Sequence, residues 1–445
     1  MSFVSAGVAM PPGPWRAVYT VAAGRGFAVC ADFLVATTLV LVLQSAGYGG
    51  LAVAAVLLAK VVPVVALAPL AGRLADRVDA GRLLLTLGLA QAGTATVLAL
   101  VDHPVAWVAL VGLLSAGLAV SQPTISALIP GLVGRADLPR AGAVNQTAGT
   151  IGMMTGPALA GVLLGQFGRS TPLLVGVLGY LALAGAGLAL RTRRSAVGGA
   201  APAAADGARP ATARAWSAWR DPLLRAIMIS IAAVVGGVGA INVVHVFFVR
   251  ETLGASETMY GFIEATEMAG LLVGAWIFAR VARRIGDDGR LVRGVLLLLG
   301  GICALFPLAS VLGAAGWLIP VWVVAGSFNG GMNVFTGVVV ANRAPAQFRG
   351  RAFATLGATV QAAAVLGYLA GGVLVELVPV RPLIAGLGVV GLLVVAGLAP
   401  AVFRATRGPV GTAPLPASDP AAGPGPDSEP AGGRDAGLAT SRAVS

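Results

Sequence analysis

Twelve long apolar stretches, separated by short polar segments, set the pattern of this 445-residue chain. A helix needs about 20 mostly apolar residues to cross a bilayer, and each stretch reaches that length. The pattern therefore predicts an all-α polytopic membrane protein with twelve transmembrane helices, here called spans one to twelve. They are predicted near residues 17–43, 50–71, 82–101, 104–127, 142–165, 171–190, 223–248, 259–281, 291–312, 316–341, 352–376 and 382–403.

Three segments of the first six spans recur at corresponding places in the last six. Internal repetition of this kind is typical of transporters built from two related membrane halves around a central site. The corresponding segments are Gly72–Arg82 with Ala279–Arg290, Leu138–Ala143 with Arg349–Ala354, and Gly156–Gly161 with Gly367–Gly372.

The repeat predicts two pseudo-symmetric six-helix halves with a linker between them. The linker region is rich in Ala, Gly, Pro and Arg, and the C-terminal end has a Pro-Ala-Gly-Ser composition that is typical of disorder. We expect an N-terminal half at residues 1–190, a cytoplasmic linker at 191–220, a C-terminal half at 221–404 and a disordered cytoplasmic tail at 405–445.

Composition supports the membrane class and excludes several others. The chain is 57% hydrophobic and 11% charged, with a mean hydropathy of +0.88. Cys30 and Cys303 lie inside predicted spans, so no disulfide framework is expected. Lys60 lacks the glycine-rich loop of a nucleotide site, and His103 and His245 fit no metal or hydrolase pattern. We therefore expect neither an enzyme nor a resident cofactor or metal.

Arginine placement predicts the orientation, because positive charge concentrates in cytoplasmic loops. Nineteen arginines follow the even-numbered spans two to ten, whereas Arg169, Arg250 and Arg381 lie in the opposite loops. Both termini are therefore expected in the cytoplasm, and the net charge of +12 reflects topology rather than nucleic-acid binding. The nineteen are Arg73, Arg77, Arg82, Arg135, Arg140, Arg191, Arg193, Arg194, Arg209, Arg214, Arg220, Arg280, Arg283, Arg284, Arg290, Arg293, Arg343, Arg349 and Arg351.

The segment Gly72–Arg82 resembles the signature between spans two and three of the major facilitator superfamily, Gly-x-Leu-Ala-Asp-Arg-x-Gly-Arg-Arg. It departs from that signature at Asp79 and Ala80. This departure, with Pro123, is similar to the branch of macrolide-efflux and siderophore-exporting permeases, which are drug:proton antiporters. Further residues that carry the resemblance are Leu74, Ala75, Asp76, Arg77, Ser126–Pro130, Leu138–Pro139 and Arg349–Arg351.

The same segment is predicted to gate the transporter. Asp76 is expected to end a tight turn, where a carboxylate can cap a helix or form a salt bridge. The resemblance implies that Asp76 latches span two to span eleven in the outward-open state, and that Arg77 completes the charge network. Gly72 and Arg82 belong to the same predicted gating loop, although a solvated turn with positive-inside charge explains Arg82 equally well.

Span five contains a glycine pattern around a proline. Glycines four apart allow a neighbouring backbone to approach closely, and proline removes a backbone hydrogen bond. The pattern of Gly152, Gly156, Pro157 and Gly161 resembles the Gly-Pro motif of proton-driven exporters in the superfamily, although an upstream glycine is absent. It favours export, with ordinary small-residue packing as the alternative.

Charged residues inside spans are costly and usually mark a pathway or a buried pair. Asp32 lies in span one, and the buried cations Arg25 and Lys60 lie in spans one and two. Asp32 is predicted to couple transport to protons, or else to pair with Lys60 or Arg25. Glu264 and Glu267 share one face of span eight, so repulsion is expected to keep one of them protonated.

The two glutamates are further candidates for proton coupling, and Glu267 is an alternative site for a cationic substrate. Glu264 is expected near the outer surface and solvated. His245 in span seven is either a proton relay or a hydrogen-bonded structural histidine. Polar and aromatic residues predict the cavity wall of the second half; they are Asn329, Asn333, Phe328, Gln361, Asn242 and His245.

Together these features predict a secondary active transporter, namely a proton-coupled exporter of small amphipathic or cationic molecules. The expected partners are a small-molecule substrate, protons and the lipid bilayer; we expect a monomer and no nucleic acid. Arginine used almost to the exclusion of lysine is typical of a GC-rich bacterial genome, and we expect the protein in the bacterial plasma membrane. The alternatives are a proton-coupled uptake permease for a small nutrient and a transport-inactive membrane sensor.

Overall fold

The computed structural model describes residues 13–197, 217–345 and 348–407. Those residues contain twelve candidate membrane spans by length and apolar composition, and all the regular structure among them is helical. The predicted all-α fold with twelve spans is confirmed. The predicted tail and most of the predicted linker lie outside the described residues.

The first half contains one helix for each span. The helix of span six continues to Val197, seven residues into the predicted linker. Hydropathy predicts only the part of a helix that crosses the bilayer core. The helix itself continues into water as long as its residues favour helical structure. The helices are α1 (Gly13–Ser45), α2 (Gly50–Arg77), α3 (Ala80–Leu100), α4 (Pro104–Leu128), α5 (Leu138–Phe167) and α6 (Ser170–Val197).

The second half contains seven helices, because span seven is divided into α7 and α8. The division falls beside Gly239, where a Cβ atom on Gly367 of span eleven would lie 2.9 Å from the Gly239 Cα. A π-helical turn, Phe248–Thr252, completes span seven. The helices are α7 (Pro222–Val238), α8 (Ile241–Phe247), α9 (Glu257–Ile285), α10 (Asp288–Ser310), α11 (Leu318–Arg343), α12 (Arg349–Leu377) and α13 (Val380–Arg407).

The predicted gating loop is mostly helical, which corrects the interpretation of Asp76 as the end of a turn. α2 continues to Arg77, and α3 begins at Ala80. The capping residue is Asp79, whose Oδ1 accepts a hydrogen bond from the Arg82 backbone nitrogen at 2.9 Å. The Arg-rich end of α2 therefore extends beyond the apolar stretch as a helix, and only Val78 and Asp79 connect it to α3.

Close helix packing within each half depends on glycine. A Cβ atom on Gly152 of α5 would lie 2.3 Å from the carbonyl oxygen of Gly26 in α1. On α11, a Cβ atom on Gly326 would lie 2.0 Å from the carbonyl oxygen of Glu267 in α9. Helices in a membrane associate through such close backbone contacts because lipid is as apolar as the side chains. The second contact holds Glu267 against α11.

Candidate functional site

The first half contains a buried ion pair between α1 and α2. Nζ of Lys60 lies 2.9 Å from Oδ2 of Asp32, and their side chains are 18% and 6% exposed. The ammonium group also lies 4.3 Å from the centroid of the Phe33 ring. Of the two predicted partners of Asp32, Lys60 is the one in contact.

Arg25 has a different partner. Its Nη1 donates a hydrogen bond to the backbone carbonyl of Asn145 on α5, at 3.0 Å. Gly149, one turn further along α5, leaves room for the guanidinium group, because a Cβ atom there would lie 3.2 Å from the Arg25 Cζ. The two buried cations of this half therefore have different partners: Lys60 pairs with the carboxylate of Asp32, and Arg25 binds a backbone carbonyl of α5.

The second half brings together three helices around a histidine. Nδ1 of His245 on α8 lies 2.7 Å from Oε1 of Glu264 on α9. The imidazole stacks on Trp322 of α11, with ring centroids 4.6 Å apart, and lies 5.4 Å from the Tyr260 ring. His245 is 4% exposed, and its Nε2 has no hydrogen-bond partner among the described residues.

Glu264 is therefore not the solvated surface acid that we expected. Its side chain is 26% exposed and is paired with His245. The sequence position, two turns into α9, places it near one end of the bundle. The packing of α8 and α11 against α9 covers it there, and burial of a carboxylate requires such a hydrogen-bonding partner.

A cavity of about 210 Å³ lies against this cluster, inside the second half. Glu264 and Glu267 supply two carboxylates to its wall, and no lysine or arginine is among the described residues that line it. The cavity therefore has acidic walls in an apolar surround. Its lining residues are Val234, Val235, Val238, Gly239, Ile241, Asn242, His245, Glu264, Glu267, Leu299, Ile302, Phe306, Trp322, Ala325, Asn329 and Met332.

Half of the predicted cavity residues line this cavity, namely Asn242, His245 and Asn329. Nδ2 of Asn333 instead donates to Oδ1 of Asn329 at 3.3 Å, and Phe328 packs against Gly301 of α10. Gln361 is half-buried on α12, which does not contribute to the lining.

The prediction did not assign Tyr260 and Trp322 to this site. Trp322 lies seven residues before Asn329, two turns along the same helix face, so helical spacing could have placed it in the wall. Nothing in the sequence pattern indicates that Tyr260 approaches His245, because that contact depends on how two spans cross.

A larger cleft of about 700 Å³ lies between α1, α5 and α6 in the first half. Its walls are almost entirely apolar, and its polar side chains are Cys30 and Thr155. Phe27, Ile151 and Leu178 on its walls are exposed. In a membrane this cleft faces lipid, which makes it a poor site for a polar or charged substrate.

The two halves meet through named contacts at one end of the bundle, which we call the contact end. Oγ1 of Thr258 on α9 donates to the carbonyl oxygen of Gly161 on α5 at 3.3 Å. Nε2 of Gln44 on α1 donates to Oε1 of Glu251 at 3.1 Å. The C-terminal end of α12 also meets the N-terminal end of α2, where Gly372 lies against Gly50.

The span-five glycines divide between two interfaces. Gly152 and Gly156 face α1 within the first half, whereas a Cβ atom on Gly161 would lie 2.4 Å from the carbonyl oxygen of Glu257 in the second half. The carbonyl oxygen of Pro157 likewise lies against Gly261, and α5 runs through Pro157 without interruption. One end of the predicted motif therefore belongs to the contact between halves.

The predicted gating residues are only partly described. Gly72 and the side chain of Asp76 lie outside the described part of the structure, although their backbone belongs to α2. Arg77, the last residue of α2, is exposed. The latch between Asp76 and span eleven stays a prediction.

These features define the class of protein: it is a membrane protein with two packed helical halves and an acidic cavity within its second half. The sequence profile of the Major Facilitator Superfamily matches residues 21–318 and 227–433. The chain belongs to this superfamily, and it is a multi-pass secondary transporter rather than an enzyme. No curated protein sequence matches it significantly.

Solved structures confirm the fold. A bacterial homologue of the iron transporter ferroportin, in its inward-facing state, superposes with a TM-score of 0.68 at 17% identity, covering 88% of this chain and 99% of the homologue. The nucleoside transporter NupG superposes with a TM-score of 0.68 at 15% identity, over 88% of this chain and 98% of NupG.

A bacterial homologue of the human lysosomal transporter Spinster, inward-facing and unoccupied, gives a TM-score of 0.65 at 13% identity. It covers 89% of this chain and 98% of that protein. Identities this low relate the chain to these proteins by fold alone.

Proposed function

We propose that this chain is a proton-coupled exporter of small amphipathic or cationic molecules that works by alternating access. The observation that carries the proposal is the acidic cavity, where Glu264 and Glu267 adjoin the buried His245. Carboxylates at membrane depth are expensive to keep charged, so they normally exchange protons or bind cations. We further propose a monomer in the bacterial plasma membrane, with both termini in the cytoplasm.

Coupling follows from competition for the same two carboxylates. A carboxyl group that holds a proton has lost the negative charge that attracts a cationic substrate, so the proton and the substrate compete for the same groups. The other titratable group packed against this cluster is Tyr260 of α9, and α7, α10 and α11 contribute none to the cavity wall. Proton entry from one side would therefore favour release of a cation there.

Asp32 is the second proposed proton site. In the described state its charge is neutralised by Lys60 at 2.9 Å, so a proton on Asp32 would release the ammonium group. This exchange could change the packing of α1 against α2 without contact to the substrate. The proposal assigns substrate competition to the second half and a conformational role to the first.

Export is supported by the glycine-proline pattern of α5. The positive-inside pattern predicts that the contact end faces outward, so the described state would be open toward the cytoplasm, a state that exporters and uptake permeases both visit. The Gly-Pro pattern of α5, which resembles that of exporters, lies partly at the contact between halves through Gly161. The predicted latch at Asp76 would close the opposite end.

The test is accumulation of a fluorescent lipophilic cation in inverted membrane vesicles that contain the protein. We expect accumulation under an imposed proton gradient, its loss on addition of a protonophore, and none in vesicles without the protein. Glu267→Gln and Asp32→Asn are both expected to abolish gradient-driven accumulation while expression is retained. Asp102→Asn, an exposed acid paired with Arg169, is the matched control.

Two results would contradict the proposal. Accumulation that is insensitive to the protonophore would remove proton coupling. Gradient-driven accumulation in right-side-out vesicles alone would reverse the direction and favour the uptake permease.

A further inference from the structure

We propose that the acidic cavity of the second half selects small cations that carry N–H groups, such as primary ammonium or guanidinium ions, over quaternary ammonium ions. The inference rests on the proposed transport function, and it specifies the substrate class of that site. It depends on which hydrogen-bonding groups the cavity wall presents, and not on its charge alone.

The His245–Glu264 contact determines what the imidazole offers to a ligand. When Glu264 is ionised its carboxylate only accepts hydrogen bonds, and Nδ1 of His245 is then the donor in their 2.7 Å contact. A neutral imidazole with its proton on Nδ1 has a lone pair on Nε2. That atom has almost no exposed surface and no partner among the described residues, so a ligand N–H group pairs with it only when the side chains around it move aside.

Other acceptors share the same wall. Glu267 supplies a second carboxylate. Asn242 donates its Nδ2 hydrogen to the carbonyl oxygen of Gly239 at 3.1 Å, which leaves its amide oxygen as an acceptor. Against these stand three donor groups, namely the remaining N–H of Asn242, the amide nitrogen of Asn329 and the indole nitrogen of Trp322. Acceptors therefore predominate, and a ligand with several N–H groups satisfies them best.

The size of the cavity limits the ligand. Its volume of about 210 Å³ is below the roughly 300–1,000 Å³ of typical ligand pockets, which suits one small organic cation. Val238, Ile302 and Phe306 supply an apolar wall for its hydrocarbon part. One face of the Trp322 ring is covered by His245, and a cation on its other face would be attracted whether it is primary or quaternary, so the aromatic wall does not discriminate between them.

Two isomeric ions separate these contributions. Hexylammonium and trimethylpropylammonium have the same formula and charge, but only the first has N–H groups. Calorimetric titration of the purified full-length protein in detergent, at one pH and without a gradient, measures their affinities. We expect hexylammonium to bind about ten- to a hundredfold more tightly, because its isomer leaves the buried acceptors unpaired.

Three variants locate the effect. Glu267→Gln is expected to weaken hexylammonium about tenfold or more, and His245→Phe, which keeps a ring against Trp322, is expected to reduce the discrimination between the isomers. Asp102→Asn should change neither. A thermal unfolding curve of each variant shows whether it is folded. If His245→Phe does not fold, the binding measured with Glu267→Gln still decides the test.

Equal affinity for the two ions, tighter binding of trimethylpropylammonium, or no binding of hexylammonium to the folded protein would overturn the inference. Unchanged discrimination in folded Glu267→Gln and His245→Phe would do the same. Binding is measured without a gradient, so a failure of proton coupling in vesicles would not contradict selective binding of hexylammonium. Likewise, a lack of selectivity in binding would not contradict proton-coupled transport.

Discussion

The two halves of the transporter treat their intramembrane acids differently. In the first half, Asp32 lies 2.9 Å from Lys60 and is almost fully buried. In the second half, Glu264 and Glu267 line an open cavity with His245, and no basic side chain of a lysine or arginine is among the described residues of that wall. A single duplicated architecture therefore contains one acid that pairs with a lysine and two that have no lysine or arginine beside them among the described cavity residues.

The difference indicates a division of labour. A buried ion pair whose partners satisfy each other has little to offer a ligand, and its removal mainly affects stability. Uncompensated carboxylates beside a cavity invite protons or cations. We therefore expect a single substitution at the ion pair to change stability as well as proton coupling, and a substitution at the cavity to change transport with a smaller change in stability.

The largest expected effect follows from breaking the ion pair on one side. Lys60→Met leaves Asp32 buried without a counter-charge, which should lower the free energy of unfolding by about 3–5 kcal/mol. Unfolding in mixed detergent micelles, followed by circular dichroism, measures it.

The double variant Asp32→Asn/Lys60→Met is the control, since it removes both charges together. It should recover most of the loss, because no buried charge is left uncompensated. If the single and the double variant were equally stable, Asp32 and Lys60 would have no interaction energy. The first half would then not contain a stabilising ion pair to compare with the cavity acids.

Glycine substitutions separate packing within a half from contact between halves. A Cβ atom on Gly152 would lie 2.3 Å from the carbonyl oxygen of Gly26, so Gly152→Ala should destabilise the protein by about 1–3 kcal/mol through overpacking. Gly161→Ala presses against Glu257 of the other half, and the halves can move apart. It should therefore raise the labelling rate of Thr258→Cys at the contact end.

The labelling experiment uses Cys30→Ser/Cys303→Ser as its background and a membrane-impermeant thiol reagent. Slower labelling in Gly161→Ala, or a stability loss equal to that of Gly152→Ala, would show that this contact is rigid and not part of the conformational cycle.

At the cavity acids, substitution should affect transport more than the free energy of unfolding, which is the opposite of the effect expected for Lys60→Met. Glu267→Gln is expected to reduce proton-driven transport at least about tenfold, equivalent to about 1.4 kcal/mol, while the free energy of unfolding changes by less. The reason is that an amide of the same shape replaces a carboxyl group that has no lysine or arginine partner among the described residues of the cavity wall. A stability loss as large as that of Lys60→Met would make Glu267 structural.

Much of the fold could be predicted because the bilayer restricts what can span it. Backbone groups in lipid must be satisfied internally, so apolar stretches predict helices, and the described residues contain twelve helices that could span a membrane. The i,i+3 spacing of Glu264 and Glu267 likewise predicts one helix face, and both line one cavity. These inferences depend on local periodicity alone.

The partners of the charged groups could not be predicted in the same way. Asp32 had two available cations, and the choice of Lys60 over Arg25 depends on how α1 packs against α2 and α5. The approach of Tyr260 and Trp322 to His245 joins three separate spans. Such contacts follow from helix rotation and crossing, which small residues such as Gly326 determine and which hydropathy does not report.

The smallest expected effects concern the connections between spans, where the halves are most alike. Asp79 caps α3 in the first half, and Asp287 caps α10 in the second, accepting from the Arg290 nitrogen at 3.0 Å. Asp79→Ala and Asp287→Ala should each lower the free energy of unfolding by about 1 kcal/mol. Asp76→Asn should leave stability unchanged and slow conformational exchange, which single-molecule fluorescence across the halves measures. If Asp76→Asn instead behaved like the two capping variants, the proposed latch would be an ordinary helix-end charge, and gating would have to depend on the contact end.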